Sequence, residues 1–449
     1  MMTHKIDKKV FYGKLWALAL PIAFQSLMGS AVAVGDALML GNVGQTEMTA
    51  VSLATQIQFV QNLIIFGTTA AGSILGAQYF GKGDHVTLKK IFNLMIRFSS
   101  VVSLVFFLAC MFIPGPLMMI FTDSETLIGI GSDYLRIAAF SYLINGVSQC
   151  YLAMMKVSDH VKASVSISCV AVLGNIGLNA VFIFGLLGVP AMGARGAAVA
   201  TLIARAVELT LCFIVSGGKK HVRPDLNIFK SKKGLTRDFI RQLMPLLGGS
   251  LLWGVGFTSY TAIIGHMGED AAAANSVTGV MRELISCLCN GIGNAAAIMV
   301  GNELGAGNLE KGKAYGLKLK NISWVIGAGS SLVVIAIIPL LKLIVKLNDE
   351  SAQYLTGMML ITAFYMIGRC VNTITINGVL DGGGDTFFDF ISLLITMWFI
   401  AVPLAILGAF VFDWHVFAVY ACTCLDEVGK IPWVMARVRK YKWVRNLTR

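Results

Sequence analysis

The chain consists of long apolar segments separated by short polar connections. A helix needs about 20 apolar residues to cross a bilayer, and twelve segments reach this length: Leu15–Leu40, Met48–Phe80, Phe98–Ile120, Ile137–Met155, Ala163–Gly188, Ala194–Gly217, Leu243–Met267, Ala271–Asn302, Asn321–Leu341, Ser351–Leu380, Phe390–Phe412 and Trp414–Met435. The pattern predicts an all-α polytopic membrane protein with twelve transmembrane helices, numbered here as spans 1 to 12.

The distribution of Lys and Arg predicts the orientation of these spans. An even number of spans places both termini on one side of the membrane. The connections and tails on that side carry 28 Lys and Arg residues, whereas the opposite side carries only Arg136, Arg195, Lys342 and Lys346. Because basic residues concentrate in cytoplasmic loops, we expect both termini in the cytoplasm.

The chain also contains an internal repeat. Its longest polar stretch, 218–238, lies near the midpoint, and at a constant offset of 224 residues the halves share twelve identities in 63 positions, including Pro21/Pro245, Gly81/Gly305 and Gly83/Gly307. Repeats separated by six spans run in the same sense. We therefore predict two six-helix lobes with pseudo-twofold symmetry around a cavity: an N-lobe (1–217), a cytoplasmic linker (218–238) and a C-lobe (239–449).

Composition excludes several classes of protein. Of 449 residues, 56% are hydrophobic and 13% are charged, which excludes a water-soluble globule and a disordered chain. The net charge of +12 follows from the cytoplasmic connections, so we expect no nucleic-acid partner. The nine cysteines lie in apolar segments without the partners that a metal site needs. The sequence has neither a phosphate-binding G-x-x-x-x-G-K-[ST] motif nor an H-E-x-x-H zinc motif, and we expect no enzymatic activity and no cofactor.

Polar residues inside the spans follow helical spacing and so share a face. Such stripes contain Gln25 and Asp36 in span 1, Gln58 and Asn62 in span 2, Asn175 and Asn179 in span 5, Glu283, Asn290 and Asn294 in span 8, and Arg369 and Asn372 in span 10. Each residue taken singly fits helix–helix hydrogen bonding, whereas the set fits the wall of a wet cavity. Asp36 is the sole ionisable group of span 1, so it must pair, hydrate, bind a cation or take up a proton. A structural partnership of Asp36 with an Asn or Tyr is the alternative.

Opposite charges within the spans suggest three ion pairs. Glu283 and Arg369 are candidates for a pair between spans 8 and 10, which would be structural as often as functional. Arg205 with Glu208 and Asp426 with Lys430 have the spacing of local pairs on one helix. Glu427, next to Asp426, fits either kind of contact.

An ordered set of motifs resembles the multidrug and toxic compound extrusion (MATE) family of secondary transporters over nearly the whole chain. The set comprises Leu20-Pro21, Gly35-Asp36-Ala37-Leu38-Met39-Leu40-Gly41, Ala77-Gln78-Tyr79-Phe80-Gly81-Lys82-Gly83-Asp84, Asn175-Ile176-Gly177-Leu178-Asn179, Phe182-Ile183-Phe184-Gly185, Gly193-Ala194-Arg195-Gly196, Gly301-Asn302-Glu303-Leu304-Gly305-Ala306-Gly307, Gly382-Gly383-Gly384-Asp385-Thr386 and Val402-Pro403-Leu404. The resemblance implies two rocking six-helix lobes that export amphipathic organic cations, such as drugs and toxins, in exchange for H⁺ or Na⁺.

The resemblance also implies roles for individual residues. Asp36 matches the coupling carboxylate of span 1 and is a candidate Na⁺ ligand, and Asn175 matches a site asparagine. Asn179 stands where some branches of the family carry a second aspartate and is the third candidate coupling residue. Gln25, Gln58 and Asn62 would complete the N-lobe cavity, Pro21 would be a hinge, and the C-lobe wall would contain Trp253, Tyr260, Glu283, Asn290, Asn294, Arg369 and Asn372. We expect a monomer in the plasma membrane that contacts the lipid bilayer.

Three alternative functions remain. A flippase for a lipid-linked precursor would need several cationic residues for a pyrophosphate head, and the spans offer mainly Arg282 and Arg369. A channel would need rings of like charge from symmetric subunits. An intramembrane aspartyl protease would need paired aspartates in the membrane, but both G-x-G-D sequences, which end at Asp84 and Asp385, fall at helix ends.

Overall fold

A computed structural model describes residues 7–218, 223–225, 233–345 and 348–448, and this part of the chain is almost entirely helical. The helices are α1 (Lys8–Val43), α2 (Gln45–Lys82), α3 (His85–Phe112), α4 (Pro114–Met119), α5 (Glu125–Val157), α6 (Val161–Phe184), α7 (Gly193–Gly217), α8 (Lys233–Gly265), α9 (Glu269–Gly305), α10 (Leu309–Ile344), α11 (Asp349–Asn372), α12 (Thr386–Leu393), α13 (Val402–Phe410), α14 (Val416–Thr423), α15 (Leu425–Val428) and α16 (Ile431–Arg439). Two π-helical segments, Thr373–Leu380 and Leu394–Ala401, continue α11 and α12.

Eleven helical segments of the described chain are long and apolar enough to cross a membrane, and they coincide with predicted spans 1 to 11. The predicted ends of spans 3 and 5 lie furthest beyond the observed helices. Span 3 ends at Phe112 rather than Ile120 because Pro114 starts a separate short helix, and span 5 ends at Phe184 because Gly185 adopts the left-handed conformation. Proline and glycine terminate helices in these ways.

Span 12 is the exception to continuous helix. Residues 414–435 form α14, α15 and the start of α16, with breaks at Cys424 and at Gly429–Lys430. Pro432 lies in the first turn of α16, where its missing N–H is tolerated. Three helices of fewer than ten residues therefore replace the single helix that the hydrophobic run predicts.

The chain divides into two compact units. The N unit contains Gln25–Gly76 and Asp84–Leu243, and the C unit contains Met1–Phe24, Ala77–Gly83 and Met244–Arg449. Three helices, α1, α2 and α8, thus contribute residues to both units. The lobe boundaries at 217 and 239 stay a prediction, and residues 219–222 and 226–232 of the predicted linker lie outside the described residues.

The ends of α2 and α9 cross within the C unit in a way that reflects the 224-residue repeat. A Cβ atom at Gly81 would collide with the backbone of Asn302, and one at Gly305 would collide with the backbone of Gln78. The 224-residue offset relates Gly81 to Gly305 and Gln78 to Asn302, so the two contacts are equivalent in the repeat. After each crossing helix the chain turns at a glycine, at Gly83 with a φ of +80° and at Gly307 with a φ of +82°. Glycine adopts this conformation without a Cβ penalty. The repeat glycines therefore allow a close twofold crossing.

Candidate functional site

The predicted N-lobe residues Asp36, Asn175 and Asn179 form one hydrogen-bonded chain in the N unit. Asn179 Nδ2 donates to Asp36 Oδ1 at 2.5 Å and to Asn175 Oδ1 at 3.3 Å. Asn175 Nδ2 in turn donates to Thr201 Oγ1 on α7 at 3.4 Å. Asn175 and Asn179 are buried, and Asp36 is half-buried. The helical spacing of 175 and 179 aims both amides at the same side of α6.

Asp36 has no cationic partner in the described part of the chain. No Lys, Arg or His nitrogen lies within 4.0 Å of its carboxylate, and its hydrogen-bond partner is the neutral amide of Asn179. The side-chain oxygen of Asn179 is buried without a partner. The site therefore presents a carboxylate and an amide oxygen, which are the ligand types that hard cations such as Na⁺ prefer. The carboxylate can also take up a proton.

A second polar contact joins the same two helices. Gln25 Nε2 on α1 donates to Ser168 Oγ on α6 at 2.6 Å. This pair and the Asp36–Asn179 pair are both separated by 143 residues in sequence, so α1 and α6 run parallel and in constant register. The contacts are eleven residues apart, about 16 Å along an α-helix. Gln25 therefore fixes the register in which Asp36 meets Asn179.

The predicted residues of span 2 lie in different surroundings. Asn62 is exposed and accepts a hydrogen bond from Asn145 Nδ2 on α5 at 2.9 Å, and Gln58 is half-buried. The neighbouring Gln61, which the spacing of polar residues does not single out, is fully buried and donates to the backbone carbonyl of Tyr142 at 3.0 Å. Asn145 was also missed, because a single Asn on a helix carries no signal of its partner.

The predicted Glu283–Arg369 pair is wrong. Arg369 Nη1 contacts Glu427 Oε1 at 3.0 Å, whereas Glu283 is exposed on α9 and makes no ion pair with a described residue. Asn372 Nδ2 donates to Glu427 Oε2 and to the Glu427 backbone carbonyl, both at 2.7 Å. Glu427 is thus the centre of the buried polar cluster of the C unit, and Arg369 and Asn372 are its partners.

Of the two predicted local ion pairs, the structure contains one and lacks the other. Arg205 and Glu208 form the expected contact at 2.8 Å. The Asp426–Lys430 pair is wrong, because Lys430 Nζ approaches Glu427 Oε2 at 3.7 Å while Asp426 Oδ1 is buried without a hydrogen-bond partner. The break at Gly429 removes the i, i+4 geometry that the sequence spacing assumed.

The other predicted C-lobe residues lie on two helices. Trp253 and Tyr260 belong to α8, and Asn290 and Asn294 belong to α9. Trp253 stacks on Phe257 with ring centroids 5.5 Å apart, and Tyr260 is buried with a hydroxyl that has no partner. Asn294 is exposed and donates to the Asn290 backbone carbonyl at 2.9 Å. Asn294 is thus accessible, but its amide bonds within its own helix, and Asn290 is half-buried.

The two G-x-G-D aspartates stabilise helix ends. Asp84 accepts hydrogen bonds from the Thr87 backbone N–H at 2.9 Å and the Thr87 hydroxyl at 2.7 Å, which caps α3. Asp385 accepts two hydrogen bonds from Arg437, at 2.7 and 2.8 Å. These roles follow ordinary capping and ion-pair chemistry and give no support to the protease alternative.

Comparisons with known proteins agree on a single family. The MatE family model matches residues 21–181 and 245–407. The "Uncharacterized transporter YisQ" of Bacillus subtilis is 24% identical, with 96% of this chain and 94% of that protein covered. The "Probable multidrug resistance protein NorM" of Pasteurella multocida is 26% identical, with 89% and 86% covered.

Solved structures show the same fold. The bent form of the Vibrio cholerae MATE transporter VcmN is similar with a TM-score of 0.85 and 17% identity, over 97% of this chain and 99% of that one. An outward-facing multidrug resistance MATE transporter is similar with a TM-score of 0.82 and 15% identity, over 96% of both chains.

Proposed function

Because the chain belongs to the MatE family of membrane transporters, we propose that it is a secondary antiporter that exports amphipathic organic cations in exchange for H⁺ or Na⁺. The names of relatives such as the Pasteurella NorM protein support multidrug export. The coupling ion acts as a second substrate, and the transport cycle needs no cofactor.

One observation carries this proposal: the carboxylate of Asp36, in a membrane helix, has the amide of Asn179 as its partner and no cationic partner among the described residues. An unpaired charge in a membrane interior is costly, so Asp36 is most stable when a proton, Na⁺ or a cationic substrate neutralises it. Asn179 holds the carboxylate and places a free amide oxygen beside it. Asp36 is therefore the residue at which ion and substrate would compete.

Coupling requires that the two ligands favour different conformations. A ligand shifts a conformational equilibrium only by its difference in affinity for the two states. We propose that α1 carries this difference, since its residues up to Phe24 belong to the C unit and those from Gln25 onward belong to the N unit. Pro21 lies inside the continuous helix at this transition. Because proline removes one backbone hydrogen bond, Pro21 is the proposed hinge.

The remaining expectations complete the proposal. The protein would act as a monomer in the plasma membrane with both termini in the cytoplasm, in accord with the distribution of Lys and Arg. Gln58 and Asn62 would line the N-lobe side of the substrate path, and Trp253, Tyr260, Asn290 and Asn294 the C-lobe side. The lipid-linked-precursor flippase is less well supported, because Glu427 neutralises Arg369 and leaves little positive charge for a pyrophosphate.

The experiment is counter-transport in proteoliposomes. Purified protein is reconstituted, the vesicles are loaded with a fluorescent organic cation, and H⁺ and Na⁺ gradients are imposed separately. We expect one gradient to drive efflux against the dye gradient and the other to have little effect. Dye movement that never exceeds passive equilibration under either gradient would contradict the antiport mechanism.

A further inference from the structure

The C-terminal segment, residues 440–448, is docked on the C unit where α2 and α9 cross. Trp443 is fully buried and packs against Gly316 of α10. Beyond it, Asn446 Nδ2 donates to the Gly305 backbone carbonyl at the end of α9, at 3.5 Å. Terminal residues of a chain are poorly ordered unless such contacts hold them. The C-terminal segment is therefore an integral part of the C unit.

This segment binds the side chain of Gln78 in the last turns of α2. Gln78 is fully buried, and its Oε1 accepts a hydrogen bond from the Leu447 backbone N–H at 2.6 Å. Its Nε2 donates to the backbone carbonyls of Gly382 at 3.0 Å and of Arg445 at 3.3 Å. Two of these three bonds come from the C-terminal segment. Because a buried amide needs hydrogen-bond partners, the segment and the end of α2 hold each other in place.

The position of Gln78 along α2 gives this contact its significance. Residues 45–76 of α2 belong to the N unit, whereas Ala77–Gly83 belongs to the C unit, although α2 is one continuous helix. Gln78 lies two residues beyond this boundary. The C-terminal segment thus fastens to the C unit the end of a helix whose main part belongs to the N unit. A movement of one unit against the other would act on this attachment.

The equivalent residues of the first half make a different contact. The 224-residue offset relates 447–449 to 223–225. There, Asp225 and Asn93 of α3 exchange two hydrogen bonds, at 3.0 and 3.2 Å, and both residues belong to the N unit and to the first half of the chain. Leu447, in contrast, bonds to a residue of the other half. The attachment to α2 is therefore a property of the C-terminal segment and does not follow from the repeat.

We propose that the C-terminal segment is a conformational latch: it holds the end of α2 on the C unit and releases Gln78 when the transporter opens to the cytoplasm. Water then replaces the lost hydrogen bonds, so that the release has a small net cost and can occur in every cycle. Trp443 keeps the segment anchored to α10 meanwhile. This inference rests on the proposed transport cycle and assigns it a regulatory contact.

The test compares two substitutions at one position. Leu447→Pro removes the N–H donor to Gln78, whereas Leu447→Ala keeps it. Each is combined with Ala77→Cys, at a position that is 1% exposed at the crossing, and the full-length protein is purified in lipid nanodiscs. Mass spectrometry measures the labelling of position 77 by a polar maleimide, whose rate follows the population of the open state. We expect Leu447→Pro to accelerate labelling by about threefold to tenfold, the scale of one net hydrogen bond, and Leu447→Ala to have no effect.

Two further measurements separate release of the latch from unfolding. The native Cys289 is fully buried on α9 in the same unit and should stay unlabelled in Leu447→Pro. Gln78→Leu should accelerate labelling of position 77 by itself, and Leu447→Pro should add nothing further in that background, because the two changes remove the same hydrogen bond.

Three results would overturn the latch: equal labelling of position 77 in Leu447→Pro and Leu447→Ala, parallel labelling of Cys289, or additive effects of Leu447→Pro and Gln78→Leu. The measurement needs no transported substrate. Its failure would therefore leave the proposed export function intact, whereas the export function is contradicted by the absence of counter-transport in proteoliposomes.

Discussion

The side-chain amide of Asn179 lies 2.5 Å from Oδ1 of Asp36 and bonds with its other hydrogen to Asn175. Both donors of the Asn179 amide are therefore used to hold acceptors, and neither acceptor brings a positive charge. This arrangement keeps a carboxylate ordered inside a membrane helix without neutralising it. It also makes the contribution of Asn179 dependent on the presence of Asp36.

A double-mutant cycle tests this dependence. We expect Asn179→Leu to reduce gradient-driven transport by about tenfold or more, since hydrogen bonds to charged groups contribute about 1.5–3 kcal/mol. In an Asp36→Asn background the same change should have little further effect, because residues in one network are not additive. The measurement is the initial efflux rate in proteoliposomes. Additive losses at the two positions would show that Asn179 acts independently of Asp36.

Removing one partner of the Arg369–Glu427 ion pair should destabilise the protein more than removing both partners. Arg369→Gln leaves a buried carboxylate with reduced compensation, and breaking a buried pair costs about 3–5 kcal/mol. The double variant Arg369→Met/Glu427→Met should recover much of this loss. Thermal unfolding of the purified protein in detergent measures the effect.

The control for this pair is the exposed contact between Arg195 and Asp133. Solvent screening makes exposed ion pairs weak, so Arg195→Gln should leave the unfolding temperature unchanged. Similar losses for Arg195→Gln and Arg369→Gln would contradict the assignment of Arg369 to a buried network.

The C-terminal segment should be required for stability of the C unit. Trp443 is fully buried against Gly316 and Gly383, and the Leu447 backbone N–H donates to Gln78 Oε1 at 2.6 Å. Trp443→Ala should cost about 3–5 kcal/mol, the usual range for a large aromatic residue in a core.

The matched control is Trp324→Ala on the outer side of α10, where the tryptophan is 41% exposed. Unfolding monitored by differential scanning fluorimetry compares the two variants. An unfolding temperature for Trp443→Ala equal to that of Trp324→Ala would show that the C-terminal segment contributes nothing to folding.

Asp381 should make stability depend on pH. It follows the π-helical segment and has a buried oxygen without a partner, and burial, reinforced by the charges of Asp389 and Asp385, raises the pKa of its carboxyl well above the ordinary value. A raised pKa in the folded state disfavours folding once the group ionises. Asp381→Asn should therefore stabilise the protein at neutral pH by up to about 1–3 kcal/mol, and the gain should shrink as the pH falls toward 4.

Asp385→Asn provides the opposite case. It removes the negative charge and one of the two oxygens that accept hydrogen bonds from Arg437, and it should destabilise the protein at neutral pH. Unfolding temperatures measured between acidic and neutral pH distinguish the two variants. A gain for Asp381→Asn that is the same at all pH values would exclude ionisation as its cause.

The sequence predicts the helices of this protein better than the contacts between them. Hydrophobic runs locate the eleven continuous spans, and helical spacing places Asn175 and Asn179 on one face. Spacing also identifies Arg205 and Glu208, because local pairs depend on a single helix. These are properties that neighbouring residues determine.

Partners on distant helices could not be predicted in this way. Glu427 is 58 residues from Arg369, and nothing in the pattern favours it over Glu283, which lies in a more obvious polar stripe. The breaks at Cys424 and Gly429 that bring Glu427 to Arg369 interrupt a run whose hydrophobicity predicts a continuous helix. Tertiary packing determines both the partner of Arg369 and the positions of these helix breaks, and a hydropathy pattern contains no information about tertiary packing.

The most direct test of the proposed mechanism compares Asp36→Asn with Asp133→Asn, an exposed aspartate of α5. Both proteins are reconstituted in the same vesicles, and efflux of a fluorescent organic cation is measured with and without the driving H⁺ or Na⁺ gradient. The account predicts that Asp133→Asn retains the acceleration by the gradient, whereas Asp36→Asn moves dye at the same slow rate in both conditions. Gradient-driven efflux of wild-type magnitude in Asp36→Asn would contradict it.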